Sequence, residues 1–120
     1  CLYITDFRTD IPQVLQAIDV FCLPSLWEGL SIALLEAMAM RKPVVVTPTD
    51  GTREVIRHRY NGLIVGFNQP DLLAKAYMEY KDNTELRTTC SANAFSLIKE
   101  KYNCQRVSDE VSNIYQTMLK

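Results

Sequence analysis

The hydrophobic and polar positions in the first half of the chain follow two alternating patterns. Short continuous apolar runs predict buried strands, and apolar residues at spacings of three and four predict amphipathic helices between them. The predicted strands are 2–5, 20–23, 43–46 and 63–65, and the predicted helices are 11–19, 30–40 and 52–56. This alternation indicates a parallel sheet with helices on both faces. We therefore predict an α/β, Rossmann-like fold.

After Gly66 the pattern changes to three successive helices that form a helical C-terminal tail. Asn68 is expected to cap the first helix, the second begins at Thr84, and the third begins at Cys104. We expect the third helix to pack through Val107, Val111, Ile114, Tyr115 and Met118. No linker is evident, so residues 1–120 are predicted to form one domain.

Composition and charge mainly exclude classes of protein. The net charge is −1, so a polybasic surface for nucleic acid or anionic lipid is not expected. No apolar run approaches the ~20 residues of a membrane-spanning helix. The four cysteines lack metal-ligand spacing, and we do not expect a secretion signal before them. We predict free thiols in a reducing, cytoplasmic compartment.

Candidate chemistry is concentrated in the stretch 27–40, WEGLSIALLEAMAM, where two carboxylates accompany a strongly apolar helix. Ligands of open parallel sheets bind beyond the carboxyl ends of the strands. Glu28 lies just before the predicted helix and Glu36 lies within it. The backbone N–H groups of residues 29–32 at the helix start suit a phosphate, and the next loop places Gly51 at the same edge.

The spacing of the two carboxylates restricts the chemistry that they can share. In a continuous helix Glu28 and Glu36 would lie about 12 Å apart along the axis and on different faces, which does not suit one metal ion. Paired carboxylates of glycoside hydrolases are closer, at roughly 5–9.5 Å. A nucleotide sugar fits better, because each carboxylate can accept hydrogen bonds from a diol. From spacing alone, pairing of Glu36 with a Lys or Arg across the helix remains the simpler interpretation.

The segment from about Phe7 to Val65 resembles the donor-binding half of retaining glycosyltransferases of the family-4 type, which have the GT-B fold. The shared features are a strand ending in Leu-Pro-Ser, two Glu residues separated by seven positions, Lys-Pro-Val-Val and a Gly-containing loop before Glu-x-Ile. The chain begins at Cys1 inside a predicted strand and without an initiator Met. We therefore expect it to be part of the GT-B C-terminal domain of a longer protein.

The resemblance implies a role for each matching residue. Glu28 would contact hydroxyls of the transferred sugar and would be the catalytic residue. Glu36 would bind the ribose hydroxyls of the nucleotide. Gly29 and Leu30 would donate backbone hydrogen bonds to the diphosphate. The loop around Gly51 would close on the donor. No metal and no cofactor are implied, and the donor substrate would be a nucleotide-diphosphate sugar, with UDP as the favoured nucleotide.

The activity implied is transfer of a hexosyl group, with retention of configuration, to a saccharide or lipid-linked acceptor during polysaccharide biosynthesis. Peripheral attachment at the inner membrane face is compatible with this activity. The family's N-terminal acceptor domain and its diphosphate-neutralising Arg and Lys lie outside the matched segment, so we expect the isolated chain to be inactive. We also expect either self-association through the open edge of strand 20–23 or an altered edge in which strand 2–5 pairs with it.

Two other functions remain open, namely a nucleotide-sugar epimerase on the same fold and a non-catalytic module that has lost the site. The chain has Asp50-Gly51-Thr52-Arg53 where the family has Gly-Gly-x-Pro. Asp50 favours loss of the site, because its carboxylate would repel a diphosphate unless it turned away. Arg53 could offset that charge, although an exposed helix position is the simpler interpretation. Packing is likewise the simpler interpretation of Trp27, compared with a place in the sugar pocket.

Overall fold

Three short parallel strands form the centre of the structure, a computed structural model that describes residues 2–119. Its elements are α1 (Ile11–Ala17), β1 (Phe21–Leu23), α2 (Ile32–Ala39), β2 (Val44–Val46), α3 (Asp50–Val55), β3 (Leu63–Ile64), α4 (Pro70–Asp82), α5 (Thr84–Lys101) and α6 (Cys104–Met118). The strand order is β1-β2-β3, with Phe21 opposite Val44 and Val46 opposite Ile64. The predicted parallel α/β architecture is confirmed.

The central strand β2 is buried on both faces, because successive side chains of a strand point to opposite sides. Val44 and Val46 belong to a core cluster with residues of α1, α2 and α3, whereas Val45 belongs to a second cluster with residues of α4. Helix α5 contributes Ala94 to the first cluster and Cys90 to the second. Helices therefore cover both faces of the sheet, as predicted.

The N-terminal segment does not form the predicted strand. Residues 2–5 have no strand assignment, and Tyr3 and Ile4 are almost fully exposed. The side chains of β1 are half-buried rather than fully buried, because β1 lies at the edge of the sheet and pairs only with β2 within residues 2–119. Self-association through this edge stays a prediction.

The helical tail is confirmed, but the packing of its last helix is not. Tyr80 of α4 is fully buried, and its hydroxyl donates a hydrogen bond to the carbonyl oxygen of Val44 at 3.2 Å. Helix α5 begins at Thr84 as predicted. No residue of α6 is buried, so the expected packing is wrong for all five of its apolar residues, namely Val107, Val111, Ile114, Tyr115 and Met118. The spacing of these residues correctly predicted a helix, but it does not indicate which part of the structure would cover the helix's apolar face.

The N-cap of α4, the cysteines and the apolar character of the helices also bear on the sequence predictions. Asn68 does not cap α4, since its φ of 55° is left-handed and Gln69 occupies the N-cap position. The described cysteines, Cys22, Cys90 and Cys104, are free thiols, and Cys1 lies outside the described residues. Within residues 2–119, no helix has the length and apolar character required to span a membrane.

Candidate functional site

An open depression of about 830 Å³ lies beyond the carboxyl ends of β1 and β2. It is lined by Leu26, Trp27, Glu28, Gly29, Pro48, Thr49, Asp50, Arg53 and Phe67. These residues come from the loops that follow the three strands and from the start of α3. The volume is within the range of about 300–1,000 Å³ that is typical of small-molecule sites.

Glu28 is the half-buried carboxylate of this depression. Its Oε2 accepts a hydrogen bond from the Ser25 hydroxyl at 3.1 Å, and this contact orients the side chain. A carboxylate can accept about four hydrogen bonds, so Glu28 retains most of its capacity for a ligand's hydroxyl groups. The structure therefore places Glu28 where the sequence predicted it.

The N–H groups of Gly29 and Leu30 are the candidate anion donors. Helix α2 begins only at Ile32, after Ser31 at its N-cap, whose hydroxyl accepts from the Leu34 amide at 3.4 Å. The predicted donors therefore lie in the loop before the helix rather than in its first turn. No acceptor for either N–H is found within residues 2–119. A Cβ at Gly29 would meet nothing within 4 Å, so this side of the loop faces open space.

Gly51 supports the loop rather than lining the depression. It is buried in the first turn of α3, whereas the sequence had placed it before the helix. A Cβ at Gly51 would lie 2.0 Å from the carbonyl oxygen of Gly29 and 2.6 Å from the nitrogen of Leu30. The main chain of α3 therefore rests directly on the Gly29–Leu30 peptide, and only glycine permits that approach.

Glu36 lies on α2 with its side chain exposed, and it is not among the residues that line the depression. Its carboxylate forms no ion pair or hydrogen bond in the part of the chain that the structure describes. The simpler interpretation, pairing with a Lys or Arg, is therefore not observed. The axial separation of about 12 Å assumed one continuous helix, but Glu28 precedes α2, so that estimate does not apply.

Three buried threonines hold the two loops in place, and sequence reasoning missed them. The Thr47 hydroxyl donates to the carbonyl oxygen of Ser25, at the other loop, at 2.5 Å. The Thr52 hydroxyl donates to the carbonyl oxygen of Thr47 at 2.5 Å, and the Thr49 hydroxyl accepts from the Thr52 amide at 3.4 Å. A Thr three positions before another Thr at a helix start is the available signal, because it is the N-cap spacing.

The depression also contains residues for which the sequence favoured another role or gave no signal. Trp27 is 88% exposed, so its indole does not pack against residues 2–119, contrary to the packing interpretation. Asp50 and Arg53 are exposed and line the depression, and neither forms an ion pair within residues 2–119. Phe67 reaches the same place from the segment after β3; the position of this segment beyond a strand end indicated a site loop, but nothing singled out Phe67 itself. In the described residues, no group of three His, Cys, Asp or Glu side chains is arranged to hold a metal ion.

Parallel strands with helices on both faces and a polar depression beyond their carboxyl ends define an α/β domain of the Rossmann-like, ligand-binding type. The chain belongs to the glycosyltransferase family described as "Glycosyl transferases group 1", which matches residues 2–97. The family-level resemblance is thereby confirmed, together with the GT-B fold of its C-terminal domain.

Individual relatives agree with this assignment. The chain is 31% identical, over 98% of its length, to the UDP-Gal:alpha-D-GlcNAc-diphosphoundecaprenol alpha-1,3-galactosyltransferase of Escherichia coli, and it covers 30% of that protein. It is 39% identical, over 72% of its length, to the N,N'-diacetylbacillosaminyl-diphospho-undecaprenol alpha-1,3-N-acetylgalactosaminyltransferase of Campylobacter jejuni, covering 23% of it. The fold matches Anabaena Alr3699/HepE in complex with UDP and glucose, with a TM-score of 0.88 and 25% identity, over 92% of this chain and 30% of that one. The chain therefore spans under a third of the length of these proteins.

Proposed function

We propose that the chain is the donor-binding part of a glycosyltransferase that transfers a hexosyl group from a nucleotide-diphosphate sugar, with retention of configuration. The observation that carries this proposal is the depression in which half-buried Glu28 lies beside Gly29, with the Leu30 N–H next along the chain and without an acceptor within residues 2–119. The relatives support it, because one is named for UDP-Gal and a structural neighbour was solved with UDP and glucose. The proposed acceptor is a saccharide or a lipid-linked sugar, as in the undecaprenol-linked substrates of two relatives.

The groups at and behind the depression that could bind the donor have the following proposed roles. Glu28 accepts hydrogen bonds from hydroxyls of the transferred sugar, and it is the residue that we assign to catalysis. The N–H groups of Gly29 and Leu30 donate to the diphosphate, with Gly51 fixing their position from behind. Arg53, the cation among the lining residues, adds charge-assisted hydrogen bonds to the phosphate oxygens. No metal or cofactor has a role in this proposal.

Glu36 completes the proposed site from the exposed side of α2. Its carboxylate has no protein partner in the described residues, so it can accept both ribose hydroxyls without breaking an existing contact. In this proposal the nucleoside lies along α2 and the sugar lies in the depression. The exposure of Glu36 also explains how a charge is accommodated on a largely apolar helix, since the carboxylate stays in water.

We propose that the chain alone does not catalyse transfer. It covers under a third of the relatives' length, and the lining of its depression includes one cation against the two carboxylates Glu28 and Asp50. The leaving diphosphate would therefore lack stabilisation, and losing one such group typically costs about 3–4 kcal/mol of transition-state stabilisation. We further propose that the whole protein works in the cytoplasm, peripherally at the inner membrane face.

An amide NMR titration tests the donor site, using UDP, GDP and ADP, each with and without an attached hexose. This method detects the millimolar binding expected of a partial site. We expect shifts at Gly29, Leu30 and Glu36 that identify the preferred base. Glu36→Ala should weaken that binding about tenfold or more, because a hydrogen bond to a charged group is lost. Glu100→Ala, which removes an exposed carboxylate from α5, is the matched control and should bind normally.

The outcomes separate the three functions under consideration. Absence of shifts with every nucleotide would contradict the donor site and favour a non-catalytic module. Binding that Glu36→Ala leaves unchanged would retain the site but remove Glu36 from it. Nucleotide-sugar binding followed by inversion of the sugar at a ring carbon, detected in the proton spectrum of the sugar, would favour an epimerase.

A further inference from the structure

We infer that Trp27 is a specificity-determining residue whose indole stacks on the ring of the donor's hexosyl group. This inference rests on the proposed function and goes beyond it, because it assigns a second recognition element for the sugar beside Glu28. It predicts that the attached sugar contributes binding through Trp27, independently of the nucleotide.

The exposure of Trp27 is the first observation behind this assignment. A tryptophan side chain offers one of the largest apolar surfaces of any residue and is normally largely buried. Here the indole is 88% exposed, and Leu26 and Phe67, which line the same depression, are 49% and 38% exposed. Folding of residues 2–119 therefore leaves an aromatic surface uncovered at this site.

The second observation is the chemistry beside the indole. A hexose ring has hydroxyls around its edge and C–H groups on its faces. Glu28 and Asp50, in the same depression, are acceptors for the hydroxyls. The face of the indole carries partial negative charge and attracts the weakly positive C–H groups. The indole face thus matches the C–H groups on a face of the hexose ring, and the two carboxylates match the hydroxyls around its edge.

Other occupants fit the depression less well. An apolar protein surface would bury Glu28, Asp50 and Arg53 without partners, and desolvating unpaired charges is costly. A nucleobase could stack on the indole, but Trp27 adjoins Glu28, the proposed sugar ligand. Glu36, the proposed ribose ligand, lies outside the lining of the depression. The arrangement therefore favours the sugar over the base.

Affinities for UDP and UDP-hexose, measured by NMR titration, test the inference. If the chain prefers another base, the diphosphate of that nucleoside and its hexose conjugate are used instead of UDP and UDP-hexose. The wild-type chain should bind the nucleotide sugar about three- to tenfold more tightly than the nucleotide, the range expected for one aromatic contact. Trp27→Ala should abolish this difference and leave nucleotide affinity within twofold, whereas Trp27→Phe should keep part of it. Tyr115→Ala removes an exposed aromatic outside the depression and serves as the control.

Trp27 is the only tryptophan of the chain, so intrinsic fluorescence reports directly on the proposed contact. UDP-hexose should shift its emission to the blue and protect it from acrylamide quenching, while UDP alone should do neither. Equal protection by UDP would assign the indole to the nucleotide and overturn the inference. Unchanged quenching in the presence of bound UDP-hexose would also overturn it.

The result is distinguishable from failure of the proposed function. If UDP binds with shifts at Gly29 and Leu30 but the hexose adds nothing in the wild-type chain, the donor site stands and the role of Trp27 is refuted. If no nucleotide binds, both proposals are contradicted.

Discussion

The contact between Gly51 and the Gly29–Leu30 peptide leads to a quantitative prediction. In Gly51→Ala, the added methyl carbon would lie 2.0 Å from the carbonyl oxygen of Gly29 and 2.6 Å from the nitrogen of Leu30. Both obstructing atoms belong to the main chain, so no side-chain rotation can relieve the clash. Either the loop after β1 or the start of α3 must move.

Two opposing effects set the magnitude of this substitution. Alanine is favoured over glycine in a helix by up to about 1 kcal/mol, and Gly51 lacks a positive φ that would oppose the change. Overpacking against a fixed neighbour typically costs about 1–3 kcal/mol, and contact with main chain places this case near the upper value. We expect a net loss of about 2 kcal/mol in the free energy of unfolding. At a urea m-value of about 1.5 kcal/mol/M, the midpoint falls by roughly 1.3 M.

Urea unfolding followed by circular dichroism measures this loss, with Gly29→Ala as the matched control. A Cβ at Gly29 meets nothing within 4 Å, so its stability should stay within about 0.5 kcal/mol of the wild type. The amide signals of Gly29 and Leu30 should shift in Gly51→Ala, because one of the two contacting backbones must move. Equal midpoints for the two variants, or unchanged amides in Gly51→Ala, would refute the close approach of the two backbones.

Two further predictions concern pH and activity. Burial raises the pKa of the Cys90 thiol and of the Tyr80 phenol, so both groups lose their protons more easily in the unfolded chain. The free energy of unfolding is therefore unaffected below their unfolded pKa values, about 8.5 and 10. Above each of these values it falls by up to about 1.4 kcal/mol per pH unit for that group. Urea midpoints measured under reducing conditions should decline above about pH 8.5, less steeply in Cys90→Ala, and a constant midpoint up to pH 11 would contradict the assignment. The purified chain should show no sugar transfer above background from radiolabelled UDP-hexose to an undecaprenol-linked sugar, and measurable transfer would contradict its proposed inactivity.

The parts of the fold that the sequence predicted are those determined by local patterns. The β-branched run Val44–Val46 favours a strand covered on both faces, and the structure buries it completely. The predicted strand at 2–5 is wrong, because β-propensity alone does not form a strand where no neighbouring strand is available for hydrogen bonding. Helix α6 has the predicted spacing but no cover for its apolar face, since periodicity identifies a face and not its partner.

The candidate site was predictable to a similar extent. Glu28 and Gly29 could be located because ligands gather where parallel strands end, and both line the depression. The supporting role of Gly51 could not be inferred, since it depends on how closely two loops from different strands approach. Trp27 was assigned to packing because an aromatic residue is normally buried, and only the three-dimensional arrangement shows that nothing in residues 2–119 covers it.

The charged residues that line the depression affect how strongly it could bind a nucleotide-diphosphate sugar. Glu28 and Asp50 carry two negative charges against the single positive charge of Arg53, while a nucleotide diphosphate is itself an anion. The N–H groups of Gly29 and Leu30 contribute dipoles that favour phosphate without adding net charge. Under the proposed function, the depression therefore offers two carboxylate acceptors for the sugar hydroxyls, but Arg53 is the one cation in its lining for the diphosphate. We accordingly expect tight donor binding to need cations from outside residues 2–119, and addition of salt to strengthen the weak binding of the chain itself by screening Glu28 and Asp50.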